Sequence, residues 1–399
     1  AEDSSTVALM NRLLVWAVQR GASDIHVEPY ERYFRVRFRV DGVLEEVAQI
    51  SNVQRDPLLQ RIKIMANLNI AERRIPQGGR FKRRIHHEGR SRSLDYRVSV
   101  LPTLWGEKAV LRLLDKTKLM LDMTKLGFEA ESLERFQKAI ANPYGIVLVT
   151  GPTGSGKTNT LYSALQTLNR KDTNIMTAED PVEFDLEGVN QVQIRDDVGL
   201  GFATALREFL RQDPNVILVG EIRDYETAEI AVKASLTGHL VLSTLHTNDA
   251  PSTVSRMVNK GIEPCLVGTA VNLIQAQRLV RRICTQCKTD VTDEMEATDL
   301  VELGFSPEEL GSLRVFAGKG CEACRDTGFK GRVGLYEVMA MSDALRDLVM
   351  VGATAVELQK KALEEGMLTL RMSGLQKIRD GVTTIEEVKR ETVGQGPVR

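Results

Sequence analysis

Two hydrophobic periods alternate along the first third of the chain. Residues 7–19 carry Val7, Leu9, Leu13, Leu14 and Val18 at helical spacing, and Gly21 supplies a stop, which predicts a helix. Residues 24–29 alternate polar and apolar as a strand does, and residues 34–40 (Phe34, Val36, Phe38 and Val40 against three arginines) alternate more cleanly. Asp41-Gly42 then predicts a hairpin turn into a strand over 43–47. A helix over 58–68, with Ile62, Ile64 and Met65, and strands over 94–101 and 108–114 complete a small α+β domain spanning 1–115. Residues 116–126 read as a linker. Beyond Gly127 the pattern changes to continuous apolar runs at 146–149, 174–177, 216–219 and 240–243, separated by helical stretches. Such runs are strands buried on both faces, so 127–283 is expected to be an α/β domain with a mainly parallel sheet. From Leu345 the pattern is helical, broken at Gly366, Gly374 and Gly381, and 333–399 reads as a helical C-terminal region with a disordered end at 394–397.

Composition narrows the classes. A chain of 399 residues exceeds one core, and 42% hydrophobic with 27% charged residues is ordinary for a globular protein. A formal net charge of −1 argues against a protein that coats nucleic acid. No apolar run reaches the ~18 residues of a membrane-spanning helix and no signal peptide is visible, so a cytoplasmic protein with any membrane link made through a partner is expected. The chain begins at Ala1 rather than Met, which leaves an upstream domain open.

Candidate chemistry starts with Gly151-Pro152-Thr153-Gly154-Ser155-Gly156-Lys157-Thr158, a GxxxxGK[ST] loop directly after an apolar strand. Its glycines let backbone N–H groups surround phosphates at the start of a helix. Lys157 reaches the β- and γ-phosphates, and the Thr158 hydroxyl is suited to Mg²⁺, so ATP with Mg²⁺ is the expected ligand. Glu179 and Asp180 end the second core strand, where side chains face the ligand crevice, although a turn carboxylate before Pro181 is an equal reading. The run 216–219 leads into Gly220-Glu221, an acidic motif in which Gly220 stands where an Asp usually serves Mg²⁺. Glu221 must then serve the metal, the water or both, and which of Glu179 and Glu221 is the base stays open. Arg223-Asp224 reads as a local ion pair. His239 and His246, two of five histidines, bracket the next strand: His246 at its C-terminal end is a γ-phosphate sensor candidate, and His239 is read as structural.

Cys284-x-x-Cys287 and Cys321-x-x-Cys324 are two knuckles with zinc-ligand spacing, so 284–332 is expected to be a tetracysteine zinc subdomain with an acidic helical insert over 293–303. A redox pair is the minority reading, and Cys265 is expected to be buried. Nine Lys/Arg crowd residues 73–97 against Glu88 and Asp95. A solvated strand face is the default, nucleic-acid binding is weakened by having Phe81 and Tyr96 as the only aromatics, and arginine fingers are a third reading.

Taken together, these motifs resemble the secretion ATPase superfamily of type II secretion, type IV pilus assembly and type IV pilus retraction motors. The phosphate loop, the aspartate box at 177–183, Gly220-Glu221 and the histidine box at 238–246 occur in that family's order, and the similarity extends through Arg211-Gln212-Asp213-Pro214 and Ala276-Gln277-Arg278-Leu279. The Gly in place of Asp is itself a family trait. The resemblance implies a RecA-like ATPase core and a homohexameric ring with ATP between the first and second domains. It implies that Arg97 and Arg112 act on the nucleotide, and that Glu221 and His246 occupy the positions tied to hydrolysis. It also implies an inner-membrane platform protein as partner, placing the motor at the cytoplasmic face of that membrane, with no nucleic acid. The cysteine knuckles are absent from retraction motors. Residues 65–74, 101–108 and 334–339 look more like the pilus assembly branch, with type II secretion next; a nucleic-acid motor and a non-hydrolysing zinc scaffold are more distant alternatives.

Overall fold

The computed structural model describes residues 2–87, 90–115, 117 and 119–392. The expected disordered end at 394–397, and Lys116 and Lys118 of the expected linker, lie outside the described residues. Contacts divide the chain into two units, Ala1–Leu119 and Met120–Arg399.

The first unit contains α1 (Glu2–Gln19), β1 (Asp24–Pro29), β2 (Phe34–Val40), β3 (Val43–Ile50), α2 (Arg55–Met65), β4 (Gln77–His87), β5 (Arg90–Thr103) and β6 (Gly106–Leu114). Its six strands form one antiparallel sheet in the order β3-β2-β1-β6-β5-β4. On β2 the alternation does what the pattern requires: Phe34, Val36 and Phe38 are buried, while Arg35 and Arg37 turn to the other face and donate to Glu28 at 3.1 and 2.9 Å. On α1 the buried stripe is Met10, Leu13, Leu14 and Ala17, with Val7, Leu9 and Val18 only half-buried. The helix is thus rotated slightly from the face its bulkiest residues suggest. The basic run proves to be a hairpin. Phe81 and Ile85 of β4 and Leu94 and Tyr96 of β5 enter the core, Phe81 stacks on Tyr96 at 4.8 Å, and Arg80, Lys82 and Arg84 point outward. Strand alternation accounts for those three, whereas Arg83 shares the parity of Phe81 and Ile85 and donates to Asn11 Oδ1 at 3.0 Å, and Arg73 and Arg74 precede the hairpin.

The second unit begins with α3 (Ala130–Ala141), β7 (Gly145–Thr150), α4 (Lys157–Leu168), β8 (Ile175–Glu179) and β9 (Asn190–Gln193). It continues through α5 (Phe202–Phe209), β10 (Val216–Val219), α6 (Tyr225–Leu236), β11 (Leu240–Leu245), α7 (Ala250–Asn259), α8 (Pro264–Ala270) and β12 (Val271–Ile283). A seven-stranded sheet runs β15-β12-β7-β11-β10-β8-β9, where β15 is Phe329–Ala340, and every neighbouring pair is parallel except β12 with β15. The α/β reading with a mainly parallel sheet holds. Residues 333–340, expected to open a helical region, are instead the second half of β15, and helices resume only at α10 (Asp343–Met350), α11 (Ala355–Glu364), α12 (Leu370–Arg379) and α13 (Ile385–Glu391). A strand buried on both faces has no alternation to reveal it, and β15 is held by its partner β12 from Leu273 to Ile283.

Between β12 and β15 lie β13 (Lys288–Asp290), α9 (Ala297–Leu303) and β14 (Phe316–Gly318). Leu300, Leu303, Phe305, Leu313 and Val315 of this segment share one core with Leu375 and Ile378 of α12 and Ile385 and Val388 of α13. So short a segment has too little apolar surface for a core of its own and completes it with the C-terminal helices. Cys265, expected to be buried, is exposed: Val267 and Ala270 take the inner face of the short helix α8.

Candidate functional site

The phosphate loop leaves the C-terminal end of β7, which lies between β11 and β12. Ala178, Val219, Ser243 and Leu148 form one row across β8, β10, β11 and β7, so the residues that follow them emerge on the same edge. That edge is where parallel α/β sheets hold ligands. Gly151 is bound to be glycine: its φ is +150°, and a Cβ would lie 2.6 Å from the Gln277 carbonyl oxygen. Lys157 opens α4 after Gly156 in the left-handed conformation, and its Nζ donates to the carbonyls of Gly151 and Pro152 at 2.8 and 3.0 Å. Burial depresses the Lys157 ammonium to about 8, Glu221 opposing and Arg278 reinforcing the shift. A phosphate would supply the anion that this half-desolvated cation lacks.

Glu221 and His246 come together: His246 Nε2 lies 3.4 Å from Glu221 Oε2. Arg223 Nε donates to Glu221 Oε1 at 2.6 Å, and its Nη2 reaches Asp180 Oδ2 at 3.0 Å. Arg223 is thus paired with Glu221 and Asp180, whereas Asp224, expected as its partner, caps α6 by accepting from the Thr227 N–H at 2.8 Å. Gly220 has a reason of its own to lack a side chain, since a Cβ there would come within 3.2 Å of the Ala178 carbonyl oxygen.

Glu179 sits differently. It is buried, and its two oxygens accept from the Tyr162 hydroxyl, from Thr177 Oγ1 at 2.6 Å and from Gln191 Nε2 at 3.0 Å. Its lone pairs are engaged with β8, β9 and α4, which makes it a poor candidate to activate water in this arrangement. His239 Nδ1–H donates to the Ala234 carbonyl at 2.9 Å, a contact that closes the end of α6. In the first unit Arg97 and Arg112 oppose each other across β5 and β6, and Arg112 Nε donates to Asp24 Oδ1 at 2.9 Å.

A model of the family described as type II/IV secretion system protein matches residues 1–390. The chain belongs to that family. It is 58% identical over 392 residues to the type IV pilus assembly ATPase PilB of Myxococcus xanthus, a match covering 98% of this chain and 69% of that one. It is also 46% identical over 393 residues to the type II secretion system ATPase E of Vibrio cholerae, covering 98% and 76%. Among solved structures, the pilus retraction motor PilT with bound ADP aligns at a TM-score of 0.61 and 25% identity over 96% of this chain and 97% of that one. The ATPase DotB of Legionella pneumophila aligns at 0.71 and 22% over 97% and 96%, a likeness of fold.

Against that family background, the tetracysteine cluster lies at the junction of β12 and the following knuckle. The four Sγ atoms lie within 4.8 Å of one another, with Cys284–Cys321, Cys287–Cys324 and Cys321–Cys324 at 3.9, 3.7 and 3.7 Å. A tetrahedron of ~2.3 Å Zn–S bonds has edges of about 3.8 Å, whereas a disulfide needs ~2.05 Å, so the donor set fits a tetrahedral thiophilic ion and holds no formed disulfide. Gly318 and Gly328 pass so closely beside it that a Cβ on Gly318 would lie 2.1 Å from the Gly328 carbonyl oxygen.

Several residues at the site carried no predicted role. Gln277, buried on β12, donates from Nε2 to the Ser155 carbonyl at 2.7 Å and accepts from Thr160 Oγ1 at 2.8 Å, tying the phosphate loop to the strand. Arg278 donates from Nη2 to the Asn248 backbone and side-chain oxygens at 3.1 and 3.2 Å. The signal was present: Gln275, Gln277 and Arg278 stand among apolar residues in the middle of the strand, and a buried polar residue needs a partner.

Proposed function

We propose that this chain is the ATP-hydrolysing motor of type IV pilus assembly. It is an ATP hydrolase of the secretion ATPase family, and the observation that carries the pilus reading is its 58% identity, over 98% of its length, to a pilus assembly ATPase. Lys157 and the loop amides hold the phosphates, and Thr158 with Glu221 would hold Mg²⁺, which neutralises phosphate charge and orients the γ-phosphoryl group. Glu221, paired with His246, orients the attacking water; the buried Glu179 holds β8 to α4 and is assigned a supporting role. Arg223 must yield its hold on Glu221 before that carboxylate serves metal or water, so the pair with Arg223 describes a resting arrangement. Arg97 and Arg112 are proposed as the arginines that act on the triphosphate, coupling hydrolysis to domain movement.

The tetracysteine cluster is assigned zinc in a structural role, because four thiolates leave no open coordination position. A homohexameric ring, an inner-membrane platform protein as partner and a position at the cytoplasmic face of the membrane belong to the same reading. No helix among the described residues is long and apolar enough to cross a membrane, so the proposed membrane link runs through that partner. Against a nucleic-acid motor stands the hairpin itself: Phe81 and Tyr96 stack on each other in the core and are not offered to bases.

Type II secretion is the runner-up, supported by the 46% relative of Vibrio cholerae. Complementation separates the two. Supplied to cells lacking either ATPase, the full-length gene is expected to restore surface pili without restoring secreted enzyme, and Lys157→Ala to restore neither, with turnover reduced by at least ~100-fold. Restored secretion without pili would move the motor to the other machine.

A further inference from the structure

The loop from His246 to Asp249 joins β11 to α7 and is anchored at three places. At its front, the Thr247 N–H donates to Thr150 Oγ1 at 2.8 Å, and Thr150 is the last residue of β7 before the phosphate loop. In the middle, Arg278 of β12 grips Asn248 through its main-chain and side-chain oxygens. At its rear, Glu337 Oε1 accepts from the N–H of Ala250, the first residue of α7, at 2.7 Å.

Glu337 is an unusual choice for that third anchor. It lies on β15 opposite Ala276, is fully buried, and forms no ion pair among the described residues. Its other oxygen accepts from the N–H of Leu370, the first residue of α12, at 3.3 Å. One carboxylate thus receives the first turns of two helices, α7 next to the nucleotide edge and α12 in the C-terminal region. Both helices already have side-chain caps: Asp249 accepts from Ser252 and Thr369 from Met372. Glu337 is therefore not needed to start either helix. Helix N-termini stabilise a carboxylate, yet burial away from a cation remains costly. Burial pushes the Glu337 carboxyl up to about 7, with Asp249 adding to the shift and the Ala250 and Leu370 N–H groups and Arg278 opposing it. A buried charge-bearing group at such a cost points to a positional task.

We propose that Glu337 is a positioning residue for hydrolysis: by holding the first turn of α7 it fixes the His246 loop against Glu221, and by holding α12 it ties that loop to the C-terminal helices. The inference rests on the reading of Glu221 and His246 as the hydrolytic pair. Displacing a reacting group by ~1 Å costs on the order of 100-fold in rate, while the phosphate loop, anchored separately through Gln277, would keep its ligand.

The test measures ATP binding, kcat, KM and melting temperature on the full chain for Glu337→Ala, Glu337→Gln, Glu221→Gln and His246→Ala. Glu337→Ala is expected to lower kcat by about 100-fold with KM and ATP affinity close to wild type. Glu337→Gln, near in shape and retaining one acceptor oxygen, is expected to recover part of the turnover and serves if the alanine variant does not fold. Wild-type kcat per folded molecule in both Glu337 variants, whatever their melting temperature, would overturn the inference, as would a raised KM with kcat intact. Full turnover in Glu221→Gln and His246→Ala would instead overturn the site reading beneath it, a separate result.

Discussion

Gln277 shows how a single buried amide can organise a nucleotide loop. Its Nε2 and Oε1 engage Ser155 and Thr160 on either side of Lys157, and Gln275 Nε2 donates to the same Oε1 at 2.9 Å. Removing it takes a partner from the Ser155 carbonyl, the Thr160 hydroxyl and the buried Gln275 amide, and each buried polar group left unsatisfied costs roughly 1–3 kcal/mol. Because these groups shape the loop rather than the hydrolytic pair, Gln277→Ala is expected to raise KM for ATP about tenfold with a smaller change in kcat, as steady-state kinetics would show. A fall in kcat alone would assign Gln277 to the chemistry instead. That Lys157, Glu221 and His246 follow strands ending at one edge was legible in the sequence, because a glycine loop and strand ends are local patterns. Gln277 and Glu337 were not: their roles depend on backbone groups more than eighty residues away in one case and more than thirty in the other, distances along the chain that no local pattern encodes.

At the scale of elements, β12 connects two pieces of chemistry. It pairs parallel with β7 beside the phosphate loop, carries Gln277 and Arg278 and runs directly into Cys284. Its far end is secured by the cysteine knuckles and by Arg281, whose Nη2 lies 2.7 Å from Oε1 of the buried Glu387 on α13. On the zinc assignment, removing the metal would take away the bonds that tie the two knuckles, and with them β13, β14 and the start of β15, to one point. Chelation is therefore expected to lower the melting temperature by at least ~5 °C before it changes the activity of the protein that remains folded. Calorimetry with and without chelator, with turnover measured per folded molecule, checks this. Activity lost while the melting temperature stays put would end the structural assignment. Among the strands that the sequence reading did not name are β9, β12 and β15: β9 is a short edge strand, β12 carries buried polar residues in its middle, and β15 is buried without a break from Val333 to Met339, so none shows a sustained period of two.

At the scale of the molecule, each of the two units has its own apolar core, and the two tryptophans, Trp16 and Trp105, both belong to the first unit. Tryptophan fluorescence therefore reports on that unit alone. There Glu28 is buried under Arg35, Arg37 and Lys108, with His26 beside it. Burial by itself would raise the Glu28 carboxyl, but the bonds from Arg37 and Lys108 outweigh it and hold the group at about 2, below its ordinary 4.5. The stability Glu28 contributes is complete above pH 4.5 and is lost as pH falls towards 2. Acid unfolding followed by tryptophan fluorescence should steepen across that window, and Glu28→Gln should flatten it while leaving the unit less stable at pH 7. An unchanged acid profile would mean the cluster carries no net stability. The sequence by itself determined the α/β class, the phosphate loop, the acidic and histidine positions, the cysteine quartet and the family, because each rests on residue types at short spacing whose chemistry is local. Only the tertiary structure decided that Glu179 is buried and engaged while Glu221 meets His246, that the cysteine segment shares its core with the last helices, and that Glu337 joins two helix starts. Those outcomes depend on which strands become neighbours, and strand neighbourhood is set by burying apolar surface across the whole chain rather than by any stretch of it.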